Sequence, residues 1–80
     1  MDGRGYSAKI VNANKEADPG NLGVLLGRYC ISNEISVSDA AGFFKVSKMT
    51  MYKWFTGKTK PRKKQSEQIA EVLERVGYKS

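Results

Sequence analysis

Apolar residues in this chain recur at the spacing of an α-helix, and helix-starting and helix-stopping residues punctuate them at short intervals. Val37, Ala40, Ala41 and Phe44 fall at i, i+3, i+4 and i+7, and Ile69, Val72, Leu73 and Val76 repeat the pattern. On a 3.6-residue period such positions share one face. Leu22, Leu25, Leu26, Tyr29 and Cys30 form a further stripe, and Met51, Trp54 and Phe55 give a fourth segment its apolar side. These segments predict an all-α fold, a compact bundle of four to five short helices.

The punctuation sets the expected boundaries. Asp18-Pro19 reads as a helix start, with Asp18 as N-cap and Pro19 in the first turn, for a helix ending near residues 32–34. Within it Gly23 and Gly27 each cost about 1 kcal/mol relative to alanine, so this helix needs tertiary packing. Ser36 and Asp39 resemble a capping box with Asp in place of Glu, and Ser47 is the next N-cap candidate. Gly57 and Gly77 stand where helices stop, and the last helix follows Pro61. Residues 1–17, MDGRGYSAKIVNANKEA, show no sustained period. They read as a mobile N-terminal arm with a brief strand or helical turn, ahead of a domain over residues 18–80.

Eighty residues allow one domain with a core near the lower limit for independent folding. The chain has no histidine and one cysteine, so the usual acid–base and metal-ligand clusters are missing. The composition therefore argues against an enzyme and implies no cofactor, metal or small-molecule substrate. Cys30 has no partner within the chain and reads as a small buried hydrophobe in a reducing compartment. No apolar run is long enough to span a bilayer, and the N-terminus lacks a signal-peptide core. A soluble, cytoplasmic protein without membrane contact is expected.

Net charge is +6, and its distribution is uneven. Lys45, Lys48, Lys53, Lys58, Lys60, Arg62, Lys63 and Lys64 lie in a stretch that contains no acid. The other six basic residues share the rest of the chain with all eight acids. So one-sided a block sets up a positive field that favours a polyanionic partner. A solvated basic face with no partner accounts for the same charges.

Two short helices joined through Lys45-Val46 make a helix-turn-helix, which needs a small residue where the helices cross; Ala41 is suitably placed. Ala40, Phe44, Val46, Met51 and Trp54 then close the corner from inside. The stretch ISVSDAAGFFKVSKMTMYKWFTGKTKP resembles the lambda-repressor/Cro-like (XRE-like) helix-turn-helix family. That family reads Leu-Thr-Gln-x-x-Leu-Ala-x-x-x-Gly-Val-Ser-x-x-x-Ile-x-x-Trp-x-x-Gly-x-x-x-Pro. Ile35-Ser36, Ala40-Ala41, Val46-Ser47, Met51, Trp54, Gly57 and Pro61 fill its marks at matching spacing. The resemblance covers about residues 22–76. Lys45 departs from the family's glycine at a left-handed turn, where a lysine either costs about 1 kcal/mol or makes the turn adopt another shape. Val37 replaces a glutamine that often helps hold the DNA.

The resemblance implies a sequence-specific DNA-binding regulator, a small phage or bacterial repressor that binds a palindromic operator as a homodimer. With Met51 and Trp54 turned inward, Lys48, Met49, Tyr52, Lys53 and Thr56 share the outer face of a recognition helix over about residues 47–56. By resemblance Ser47, Lys48, Met49 and Lys53 are base-facing; Tyr52 is either a DNA contact or a packed surface ring. Thr50, Lys58 and Lys60 match phosphate-facing positions, and Thr56, Arg62 and Lys63 extend that set. Phe55, often polar in the family, either extends the core or belongs to a protein interface. The alternative function is a protein-binding module, an antitoxin or inhibitor that turns the basic block toward an acidic protein surface. RNA binding has less support, because no stacking sheet or RNA-type motif is present.

Overall fold

Side-chain caps start four of the five helices, and the same backbone closure ends four of them. The computed structural model describes residues 6–78. Its elements are α1 (Ala8–Glu16), α2 (Leu22–Ser32), α3 (Val37–Phe44), α4 (Lys48–Phe55) and α5 (Lys63–Arg75), with no strand among the described residues. The fold is an all-α bundle, as expected. Ser7, Asn21, Ser36 and Ser47 cap α1 to α4 through side-chain oxygens that accept from backbone N–H groups two or three residues on. At α5 the backbone N–H of Arg62 donates to Gln65 Oε1 at 3.2 Å.

The ends of α2, α3, α4 and α5 are alike. The N–H groups of Ile35, Val46, Lys58 and Tyr78 donate to the carbonyls of Cys30, Ala41, Lys53 and Leu73, at 2.8, 3.0, 2.9 and 2.9 Å. Each closure needs one left-handed residue just before the donor. Gly57 and Gly77 supply it without strain, at φ 77° and 72°. Glu34 and Lys45 do so at φ 58° and 59°, where a Cβ is disfavoured. The expected left-handed conformation of Lys45 is therefore present.

The helices pack around α4, which contacts α1, α2 and α3, while α5 lies on α2. Val24, Met51, Phe55 and Ile69 are completely buried at the centre. Gly23 and Gly27 explain how α2 comes so close to α4. A Cβ at residue 23 would lie 2.7 Å from Trp54 Cβ, and one at residue 27 would lie 2.8 Å from Phe55 Cγ. The two glycines that weaken α2 in isolation are thus what let its backbone seat against α4.

Three expectations are corrected. First, residues 1–17 are not a mobile arm throughout, although residues 1–5 lie outside the described residues. Tyr6 is buried, donates its hydroxyl to Ile35 O at 2.7 Å, and sets its ring 6.0 Å from Phe55. Helix α1 follows, with Asn14 only 2 % exposed. Its Nδ2 donates to Phe55 O at 2.7 Å and Val24 O at 3.1 Å, so one buried amide ties α1 to α4 and α2. Arg28 closes the C-terminal end of α1, its guanidinium donating to the carbonyls of Asn14, Lys15 and Ala17 at 3.0–3.3 Å. A cation on the free carbonyls of a helix C-terminus also meets the negative end of its dipole. The absence of a clear apolar period misled because only Ile10 and Val11 of α1 pack on the core, and long-range polar bonds supplement them.

Second, α2 starts at Leu22, and its cap is Asn21 rather than Asp18. Asp18, Pro19, Gly20 and Asn21 form a turn, in which Asn21 N donates to Asp18 O at 3.1 Å and Gly20 N to Asp18 Oδ1 at 2.9 Å. Asp followed by Pro suits the first two positions of a β-turn as well as a helix start, and here the turn wins. Third, Val76 belongs to the predicted stripe of α5 but is 44 % exposed, because α5 ends at Arg75 and the chain turns away through Gly77.

Cys30 is buried, and burial pushes its thiol up to about 12, so it stays protonated at neutral pH and acts as a small apolar side chain.

Two stability measurements test these features. Lys45→Gly relieves the left-handed side chain and is expected to stabilise the protein by about 0.5–1 kcal/mol in chemical denaturation; a clear loss would contradict the strain argument. Asn14→Ala leaves the buried carbonyl of Phe55 without its side-chain donor, removes a second bond to Val24 O, and is expected to cost about 1–3 kcal/mol. An unchanged melting temperature for that variant would mean that α1 contributes nothing to the core.

Candidate nucleic-acid interface

Helices α3 and α4 are joined by Lys45, Val46 and Ser47 and form the expected helix-turn-helix. Ala40, Ala41, Phe44, Met51 and Trp54 are buried, and Val46 packs against them half-buried. Trp54 lies edge-on to Phe44, with ring centroids 6.4 Å apart and planes 71° apart. Both rings sit inside the corner, so Trp54 holds the angle between the helices. Phe55 resolves to the core: it is completely buried between Gly27 and Tyr6.

With Met51, Trp54 and Phe55 turned inward, α4 presents Lys48, Met49 and Lys53 to solvent, Met49 at 65 % exposure. Tyr52 is half-buried and packs on the core, nearer the packed-ring reading than a free aromatic. Ser47 is occupied as the cap of α4: its Oγ accepts from Thr50 N and donates to Thr50 Oγ1, each at 3.1 Å. Thr56 donates its hydroxyl to Tyr52 O at 2.8 Å. The hydroxyl protons of Ser47 and Thr56 are therefore engaged at the ends of α4, whereas the half-buried Thr50 only accepts, so the lysines, Met49 and the Thr50 hydroxyl are its outward groups.

Beyond α4 the chain makes a short loop to α5, and the basic block continues along it. All eight basic residues of the block are exposed: Lys45 in the turn, Lys48 and Lys53 on α4, Lys58 and Lys60 in the loop, and Arg62, Lys63 and Lys64 at the start of α5. The fold thus brings onto consecutive elements one outer face and one loop, both positive and free of acid. The loop backbone is fixed despite its exposed side chains. The N–H groups of Lys58 and Thr59 donate to Lys53 O at 2.9 and 3.4 Å, Pro61 is buried, and Ser66 Oγ donates to Pro61 O at 3.1 Å.

Sequence reasoning missed Asn21. Its Oδ1 accepts from Gly23 N at 2.9 Å as the cap of α2, and its Nδ2 donates to Thr59 O at 3.2 Å in the loop. The signal was an asparagine directly before the first apolar residue of α2, outweighed by Asp18-Pro19.

A second surface feature lies away from α4. An apolar groove of about 320 Å³ is lined by Leu26, Tyr29, Ile35, Phe44, Val72 and Val76 together with Phe43, which is 69 % exposed. Among the described residues no cluster of His, Cys, Asp or Glu is placed to hold a metal ion, and no helix is long and apolar enough to cross a membrane. Compared with known proteins, the chain matches no family model, no curated protein and no solved structure.

Trp54→Ala removes the ring that sets the corner and is expected to cost roughly 3–5 kcal/mol, enough to unfold a domain this small. Native circular dichroism and melting in that variant would show that the indole does not support the motif.

Proposed function

We propose that the protein is a sequence-specific, double-stranded-DNA-binding transcriptional regulator, a small cytoplasmic repressor of phage or bacterial type. The observation that carries this reading is the outer face of α4, where Lys48, Met49 and Lys53 are exposed beside a loop bearing Lys58 and Lys60. A helix following a tight turn can lie in the major groove with its N-terminal residues nearest the base edges. Lysine then donates to guanine O6 and N7, and Met49 packs on a thymine methyl. Lys58 and Lys60 leave the end of α4 toward the sugar–phosphate backbone, together with Arg62 and Lys63. The spacing shared with lambda-repressor/Cro-like proteins supports the same docking, and with it a homodimer on a palindromic operator with half-sites about 34 Å apart.

A protein-binding role, as an antitoxin or inhibitor, is favoured by the apolar groove beside Phe43. A fluorescence titration with random duplex DNA across a salt series separates the two. Micromolar binding that weakens steeply with salt supports the regulator; no binding supports the protein partner.

Positioning and reading are expected to separate by residue. Phosphates look alike on every sequence, so Lys60→Ala weakens operator and scrambled DNA by similar factors and lowers the log–log salt slope by about 0.9. Lys53→Ala is expected to weaken the preferred site selectively, by about 1–3 kcal/mol, and to relax the choice of one base pair. The operator for this comparison comes from selection of bound duplexes out of a random pool. Equal losses for both variants on both DNAs would reduce α4 to an electrostatic surface.

A further inference from the structure

We infer that Asn21, outside the helix-turn-helix in sequence, is the positioning residue that orders the Lys58–Lys60 loop for phosphate contact. The inference rests on the DNA-binding reading and names the part of the structure that prepares its phosphate-facing side. Asn21 is 4 % exposed, so both ends of its amide work in a nearly dry site. The oxygen caps α2 through Gly23 N, and the nitrogen reaches across to the carbonyl of Thr59, 38 residues away. Thr59 stands between the two exposed lysines, and its carbonyl fixes the peptide plane from which Lys60 departs. The bonds to Lys53 O hold the start of the loop, and Ser66 holds its end at Pro61. Asn21 secures the middle from a different helix.

The benefit to binding is entropic. A loop ordered before the encounter loses less freedom when its lysines meet phosphates, so more of their attraction appears as affinity. Asn21 also couples the loop to α2, and hence through the Gly23–Trp54 approach to α4. The base-facing helix and the phosphate-facing loop are thereby referred to one rigid body.

The two roles of Asn21 separate chemically, because the cap needs an acceptor and the tether needs a donor placed to reach Thr59. Serine caps a helix about as well as asparagine but lacks the amide nitrogen, and glycine costs only a few tenths of a kcal/mol at this position. Asn21→Ser and Asn21→Gly are titrated with random duplex DNA over a salt series, alone and with Lys58→Ala/Lys60→Ala. Melting and circular dichroism are recorded for each. The expected result is a loss of affinity of roughly threefold to tenfold at low salt and a shallower salt slope, with native circular dichroism and a cooperative melt. In the background lacking both lysines, the same substitutions change nothing further, as a double-mutant cycle requires of coupled sites. Amide exchange in the free variants is expected to quicken at Lys58 and Thr59, whose N–H groups donate to Lys53 O, and to stay unchanged along α4.

Wild-type affinity in both folded variants, or an equal loss in the background without Lys58 and Lys60, would overturn the inference and leave the DNA-binding reading intact. If Asn21→Ser does not fold, Asn21→Gly decides by the same criteria. If neither folds as the wild type does, Asn21 is a stability residue and the inference is overturned. Failure of the wild-type protein to bind random duplex at low salt overturns the DNA-binding reading, and the inference with it.

Discussion

The close approach of α2 to α4 is the constraint on which the other packing depends. Gly23 and Gly27 present bare backbone to Trp54 and Phe55, leaving no room for even one methyl group. That contact places Trp54 against Phe44 inside the α3–α4 corner and Phe55 where the ring of Tyr6 meets it. It also brings the carbonyls of Val24 and Phe55 near enough together for one side-chain amide to serve both. A chain this short has few apolar residues to spend on a core, so close backbone contact has to replace bulk. The conformational cost of glycine in α2 is offset by dispersion contacts that a larger residue would prevent.

Polar side chains then do much of the work that a larger protein would leave to apolar area. Asn14, Asn21, Arg28 and Tyr6 each bond to a backbone carbonyl in another part of the chain. A buried carbonyl without a donor is expensive, and helix C-termini present several of them. Here the carbonyls at the ends of α1 and α4 become attachment points. The N-terminal helix is built into the bundle in this way, although its own sequence is more polar than that of α2 or α3.

Much of this was legible in the sequence, and the failures share one cause. The stripes of α3 and α5, the caps Ser36 and Ser47, the stop at Gly57 and the inward Met51 and Trp54 follow from local periodicity and capping chemistry. Those rules act within a few residues, and they placed the exposed lysines of α4 as well. Local rules missed α1 because its hold on the bundle is long-range: Asn14 reads as an ordinary polar residue until Phe55 O is beside it. They misplaced the start of α2 because Asp18-Pro19 suits a turn and a helix start equally well. Phe55 stayed open between core and interface for the same reason, since its partners Tyr6 and Gly27 are distant in sequence. Val76 shows the converse, a residue in step with a stripe whose helix has already ended.

The bond between Asn14 and Phe55 has a consequence for how the molecule comes into being. Its two ends are 41 residues apart, so α1 is synthesised well before the carbonyl that anchors it. A nine-residue helix is marginal in water by itself. Without α4, Asn14 has only Val24 O of its two carbonyl partners, and Tyr6 lacks the ring of Phe55 to cover it. The seating of α1 in the bundle therefore depends on α4, whose last carbonyl and Phe55 ring complete its place.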